Sequence, residues 1–164
     1  FFPSTGIKIV YKAGLNENTF TLSKKVLIKI ERKINLSNLE GLIFISQSPI
    51  STIPPTTSFI HKEFNLPTNC FTLDLIQGCS SFPYAFFLAN RYLKDKVFKN
   101  VLILSSETYR DYISISNKSS YPIFSDGASA IYMDNKTKIK ILSEVYYTDG
   151  KGSKDLCTFK KKFA

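Results

Sequence analysis

The chain has 164 residues, of which 43% are hydrophobic, so it can bury one hydrophobic core and a single domain is expected. Its three cysteines, at positions 70, 79 and 157, are too few and too scattered for a disulfide framework, and no Cys or His pair has metal-site spacing. No apolar run reaches the roughly 18 residues of a membrane span, and the first residues do not resemble a signal peptide. These features predict a soluble protein of the reducing cytoplasm.

The formal net charge of +9 arises mainly from lysines spread along the chain. Positive charge speeds encounters with acidic partners, which include nucleic acids and acidic proteins. Aromatic residues do not alternate with the basic ones as in a nucleic-acid recognition motif, so we expect no nucleic-acid partner. The simplest interpretation of the charge is a solvated, lysine-rich surface.

The first elements alternate between helical and extended patterns. In residues 16–34 apolar side chains recur at spacings of three, four and seven between lysines, which predicts an amphipathic helix ending near Asn35. Residues 42–45 form a short apolar run that predicts a buried strand. Pro54 and Pro55 suit the start of a helix, which residues 56–64 can continue.

The next elements repeat this alternation. Residues 70–76 predict a second strand, residues 80–93 a helix and residues 101–104 a third strand. The core face of that helix is expected to carry Phe82, Phe86, Ala89 and Leu93. This order predicts an α/β layered domain, with a largely parallel sheet and helices on its faces.

The pattern changes after residue 109. Residues 114–120 are polar, and Asp126-Gly127 is a turn dipeptide followed by small residues. We therefore expect the backbone there to bend sharply or to approach a neighbour closely. Residues 130–133 and 139–145 predict two further strands, joined through residues 134–136.

Cys79 stands between the second predicted strand and the helix that follows it. A thiol at the first turn of a helix meets the positive end of the helix dipole, which favours the nucleophilic thiolate. Covalent catalysis is therefore the first hypothesis, and a small buried cysteine is the alternative. His61, the only histidine, could be proposed as a base, but a lone histidine on a helix is more often a surface or boundary residue.

Five separate blocks of this sequence form a combined pattern: residues 5–7, 42–54, 73–82 with Cys79-Ser80-Ser81, 100–108 and 124–130. In order and spacing, these blocks resemble the β-ketoacyl-ACP synthase III family. The resemblance implies a thiolase-like fold, with residues 1–164 forming a partial N-terminal domain that lacks the C-terminal half. It also implies a cytoplasmic, homodimeric acyltransferase of fatty acid biosynthesis.

The resemblance further implies that Cys79 is the catalytic nucleophile. It would take an acyl group from acyl-CoA as a thioester and condense it with a malonyl unit on acyl carrier protein. Forming a thioester on a cysteine divides the reaction into two easier steps. Acyl-CoA and malonyl-ACP would be substrates, and no cofactor would stay bound. The family's catalytic His and Asn would come from the C-terminal half of the fold. We therefore expect residues 1–164 alone to be inactive.

The sequence departs from the family at several positions. Ser4 stands where an arginine usually helps to bind CoA. Lys118 matches a basic residue near the pantetheine entrance and could meet phosphate oxygens as a point charge, although it could equally be an exposed loop lysine. Ile53 matches the position that reaches across the dimer interface and limits the acyl pocket. Ser81 stands where glycine is common, so its side chain should narrow the space beside Cys79.

Two other functions stay open. The chain could belong to a family member that transfers its acyl group to a hydroxyl or an amine in a specialised pathway. It could also be a catalytically silent remnant that serves as a dimerisation or carrier-protein binding module. The lysine-rich surface suits either function, because acyl carrier proteins are acidic.

Overall fold

The computed structural model describes residues 5–136 and 141–154. Its strands are β1 (Gly41–Ile45), β2 (Phe71–Leu75), β3 (Asn100–Glu107) and β4 (Gly127–Asp134). Its longer helices are α1 (Thr19–Ile30), α2 (Thr56–Glu63) and α3 (Ser81–Lys94). Short 3-10 turns occupy Leu36–Asn38, Gly78–Ser80, Tyr109–Tyr112 and Gly150–Gly152. Within the described ranges, none of the helices has the length and apolar character needed to cross a membrane.

The strands form one mixed sheet in the order β2-β1-β3-β4. Strand β1 pairs in parallel with both β2 and β3, whereas β4 runs antiparallel to β3 along its whole length. Helix α2 connects β1 to β2, and α3 connects β2 to β3. The prediction of a largely parallel α/β sheet is therefore confirmed, with β4 as its antiparallel member.

Strand β1 is buried throughout because both faces of the sheet are covered. Leu42 and Phe44 belong to a core cluster that α1 and α2 share with one face. Ile43 belongs to a second cluster, between the opposite face and α3. An unbroken apolar run is typical of a strand buried on both faces, and the predicted strand at residues 42–45 is confirmed.

Helix α1 is shorter than the predicted helix at residues 16–34. It begins with a capping box, in which Thr21 N donates to Asn18 Oδ1 at 3.0 Å and Asn18 N donates to Thr21 Oγ1 at 2.8 Å. After Ile30 the chain turns, and the backbone N–H groups of Lys33 and Ile34 both donate to the Ile30 carbonyl. Ile34 still packs against the core from this turn, which explains why the apolar spacing extends beyond the helix.

The predicted core face of α3 is wrong in part. Phe82 is 45% exposed, whereas Phe86 packs against the core while partly buried, and Ala89 and Leu93 are buried as predicted. The buried positions of α3 are mostly small or polar: Ser81, Ala85, Ala89, Asn90 and Leu93. Small side chains let the helix lie close to the sheet, and the Phe82 ring lies outside this contact.

The predicted strand at residues 139–145 is wrong in its described part, since residues 141–145 have no regular secondary structure. Residues 139 and 140 lie outside the described residues. The Tyr146 ring stacks on Tyr84 with a centroid distance of 5.5 Å and lies 5.4 Å from the ring of Phe87. Aromatic packing on α3 thus holds this segment, in place of pairing with the sheet.

Candidate active site

The carboxyl ends of the three parallel strands meet at one edge of the sheet, where α/β proteins commonly bind ligands. Residues 46–48 follow β1, the turn with Cys79 follows β2, and Glu107 ends β3. Ser46 N donates to the Leu75 carbonyl at 3.4 Å, which joins the ends of β1 and β2. The candidate site is built from these three strand ends.

Cys79 lies in the 3-10 turn Gly78–Ser80, which runs directly into α3. The predicted position between strand and helix is confirmed. Gly78 has a φ of 60°, a left-handed conformation that glycine adopts without strain and that reverses the chain sharply after β2. The Cys79 thiol is exposed, which argues against the alternative of a small buried cysteine.

Hydrogen bonds to the backbone close this turn. Gln77 N donates to Ser81 Oγ at 2.8 Å, and Ser80 Oγ donates to the Gln77 carbonyl at 2.6 Å. Ser81 is only 1% exposed. The Ser81 hydroxyl therefore stabilises the turn. The sequence predicted only that the Ser81 side chain narrows the space beside Cys79, and it did not predict this hydrogen bond. The thiol of Cys79 has no hydrogen-bond partner among residues 5–136 and 141–154.

Glu107 is a site residue that the sequence analysis missed. Its carboxylate accepts hydrogen bonds from Gln47 N at 2.7 Å, Ser48 Oγ at 2.8 Å and Ser46 Oγ at 3.5 Å. Burial raises the pKa of Glu107 above its ordinary value, and the hydrogen bonds from Ser48 and Gln47 oppose that rise. The available signal was an acidic residue three positions after the apolar run at residues 101–104.

The loop after β1 touches the turn that carries Cys79. Gln47 Oε1 lies 3.7 Å from the point that a Cβ on Gly78 would occupy, which is ordinary van der Waals contact. Ser48 Oγ also accepts a hydrogen bond from Thr108 N at 2.9 Å. Glu107, at the end of β3, is thus hydrogen-bonded to the loop after β1, and that loop lies in van der Waals range of the Gly78 position.

The remaining predicted site residues lie on exposed loops. Ile53, between β1 and α2, is 89% exposed. Lys118 is exposed in the turns after Tyr112 and has no ion pair or hydrogen bond within the described part of the chain. The structure shows no contact of either residue with Cys79, and their roles stay predictions. Ser4 lies outside the described residues.

Neither His61 nor Cys70 supplies a second reactive group at this edge. His61 Nε2 donates to the Pro67 carbonyl at 3.0 Å, which ties the end of α2 to the loop before β2. Cys70 is buried, and burial raises its pKa to about 11. The described ranges also contain no cluster of three or more His, Cys, Asp or Glu residues that could hold a metal ion.

Asp126 organises the loop before β4. Its buried carboxylate accepts hydrogen bonds from Ala13 N at 2.8 Å and Arg110 N at 3.0 Å, and its own N–H donates to the Tyr11 carbonyl at 2.9 Å. A Cβ on Gly127 would meet nothing within 4 Å among the described residues. Of the two predicted alternatives, a close approach at Gly127 is absent within these ranges, and residues 124–126 show no turn before β4 begins at Gly127.

Comparisons with known proteins extend these observations. A sequence model described as 3-oxoacyl-[acyl-carrier-protein] synthase III matches residues 73–150. The β-ketoacyl-[acyl-carrier-protein] synthase III of Clostridioides difficile strain 630 is 29% identical over 150 residues, covering 90% of this chain and 45% of the relative. The enzyme of the same name from Neisseria gonorrhoeae strain NCCP11945 is 26% identical over 148 residues, covering 89% of this chain and 46% of the relative.

The fold gives the same result. The crystal structure of a β-ketoacyl-[acyl carrier protein] synthase III from Thermus thermophilus superposes with a TM-score of 0.81 at 25% identity. That match covers 95% of this chain and 49% of the solved chain. This chain spans about half the length of the curated relatives that it matches. The comparisons confirm the family resemblance predicted from the sequence: over about 89% of its length the chain matches β-ketoacyl-ACP synthase III, and its fold is thiolase-like.

Proposed function

We propose that this chain forms part of an acyltransferase of the 3-oxoacyl-ACP synthase III type, with Cys79 as its nucleophile. The Cys79 thiolate attacks the thioester carbonyl of acyl-CoA, a new thioester forms on Cys79, and the CoA thiol leaves. A malonyl unit on acyl carrier protein then loses carbon dioxide, and the resulting carbanion attacks the acyl thioester. The new carbon–carbon bond forms as the Cys79 thiolate is released.

The exposed Cys79 on a tight turn between β2 and α3 is the observation that supports this proposal. No side chain caps the amino terminus of α3, and its first turn contains no acidic residue. The positive end of the helix dipole therefore acts on the turn with Cys79 without a competing carboxylate, and it attracts negative charge on the sulfur. An accessible thiolate exchanges thioesters readily.

Acylation of Cys79 is testable by intact-mass spectrometry of the full-length protein after incubation with acetyl-CoA. We expect one acetyl adduct, its loss in Cys79→Ser and its retention in Cys70→Ser, a matched variant at a buried thiol. An adduct that persists in Cys79→Ser, or no adduct with any acyl-CoA, would refute the proposal and favour a silent binding module. Adding malonyl-ACP to the acylated protein distinguishes condensation from transfer to a hydroxyl or an amine.

We also propose that the protein is a homodimer. Strand β2 is at one end of the described sheet, where its outer edge has no partner strand among the described residues. An exposed strand edge is a ready template for pairing with a second chain. The large apolar side chain of Ile53 is also exposed, as the predicted position at a dimer interface requires. Light scattering coupled to size-exclusion chromatography should give twice the mass of one chain, and a monomer would contradict the proposal.

The net charge of +9 supports an acidic carrier protein as partner. Lys118 contributes an exposed positive charge that is free, within the described ranges, to meet a phosphate group. Binding of the acidic carrier protein would then depend on charge, and its affinity should fall as the salt concentration rises.

A further inference from the structure

Gln47 presents an unused carboxamide at the candidate site. Its side chain has no hydrogen-bond partner in the part of the chain that the structure describes, although the residue is partly buried. The carboxamide oxygen is in contact range of the Gly78 position, one residue before Cys79. Within the described ranges this amide group therefore has an unused donor and acceptor, which a ligand or water can fill.

The backbone that carries this carboxamide is fixed. Gln47 N donates to Glu107 Oε1 at 2.7 Å, and the neighbouring Ser48 hydroxyl donates to Glu107 Oε2 at 2.8 Å. Both carboxylate oxygens therefore hold the same short loop. A hydrogen bond to a carboxylate is stronger than one between neutral groups, so the position of Gln47 relative to Gly78 depends on Glu107.

We propose that Gln47 is a specificity-determining residue that hydrogen-bonds a polar oxygen of the acyl group on Cys79, with Glu107 as its positioning residue. This inference rests on the proposed acyl-thioester function. Because Gln47 Oε1 is within contact range of the Gly78 position, one residue before Cys79, we place its hydrogen-bond partner among the first atoms of the acyl chain. A hydroxyl group can both donate to Oε1 and accept from Nε2. The acyl class selected is therefore a 3-hydroxyacyl group.

A matched pair of donors tests the inference. The rate constant for Cys79 acylation is measured by intact mass with 3-hydroxybutyryl-CoA and with butyryl-CoA, which differ by one hydroxyl group. We expect the full-length protein to prefer the hydroxylated donor by about tenfold, the discrimination that one hydrogen bond in a partly exposed site provides. Gln47→Met keeps the side-chain length and removes the amide, so the ratio of the two rate constants should fall to about one.

Two further variants separate specific from general effects. Gln77→Met replaces an exposed glutamine two residues before Cys79 and should keep the preference. Glu107→Gln should lower the ratio, because one of its two acceptor oxygens becomes an NH₂ group facing a donor. A general loss of structure would instead slow both donors equally and leave the ratio unchanged. Ser48→Ala removes one donor to Glu107 and provides a milder variant if Glu107→Gln does not fold.

The outcomes distinguish the two proposals. No adduct from either donor would refute the acyl-thioester function together with this inference. Adducts that form at equal rates in the unmodified protein would refute only the role of Gln47. The same holds if Gln47→Met slows both donors equally, since the carboxamide would then contact a part that the two donors share.

Discussion

Replacing Asp126 with alanine should destabilise the fold by about 3 kcal/mol. The carboxylate accepts hydrogen bonds from the backbone N–H groups of Ala13 and Arg110, and Asp126 is only 8% exposed. Hydrogen bonds to charged groups contribute about 1.5–3 kcal/mol each, and a donor left buried without a partner adds to the cost. We take the lower end of the sum because the segment at Ala13 can regain water.

Urea unfolding followed by far-ultraviolet circular dichroism measures this free energy, with the midpoint and slope fitted separately. Asp126→Asn keeps one acceptor oxygen and should cost about half as much. Gly127→Ala is the matched control: it adds a Cβ where nothing lies within 4 Å, so the change should stay within about 0.5 kcal/mol. An Asp126→Ala variant as stable as the unmodified protein would refute the reasoning, as would a Gly127→Ala variant that loses equal stability.

Two titratable groups give further predictions. Burial raises the pKa of Cys70 to about 11 from the ordinary value of 9.0, so at pH 8 its alkylation by iodoacetamide should accelerate about 100-fold when the protein is unfolded in urea. Peptide mapping would contradict this if Cys70 reacted equally fast in the folded protein. For Glu107, a folded-state pKa above the unfolded value means that the folded protein binds the proton more tightly. Stability should therefore decrease as pH rises from the unfolded pKa through the raised folded pKa, and the decrease should be absent in Glu107→Gln. The measurement is the free energy of unfolding of the unmodified protein and of Glu107→Gln at several pH values in this range. If the difference between the two free energies does not vary with pH, the prediction is wrong, because burial then does not disfavour the charge on Glu107.

Strands β1 and β3 were predictable from sequence because burial on both faces leaves an uninterrupted apolar run. The run at residues 42–45 is apolar without interruption, and its observed strand differs from the prediction by one residue. The buried faces of helices were less predictable. The spacing of apolar residues identifies residues on one face of a helix, but it does not show which face packs against the sheet. In α3 the small residues Ser81 and Ala85 face the sheet and the larger Phe82 does not. Close packing favoured the small side chains over the more hydrophobic one.

The candidate site was predictable only where its residues are neighbours in sequence. Cys79 follows a strand and precedes a helix within a few residues, so its position could be inferred locally. Gln47 and Glu107 are 60 residues apart and meet only because β1 and β3 are adjacent and parallel. The positions of strands can be predicted from a single sequence, but the order of the strands in the sheet cannot. The pairing of β1 with β3, which creates this contact, was therefore not predictable.

The geometry separates the proposed nucleophile from the residues proposed to select the acyl group. Cys79 depends on the turn after β2, whereas Gln47 and Ile53 both lie on the loop between β1 and α2. That loop is fixed at its start by Glu107 and at its end by Asp74, whose carboxylate accepts the first two backbone N–H groups of α2 at 2.7 and 3.2 Å. Neither anchor belongs to the turn with Cys79, but Gln47 itself is within van der Waals range of the Gly78 position. Under the proposed function, the loop residues beyond Gln47 are therefore the ones at which acyl selection can vary with the least effect on how the thiol is held.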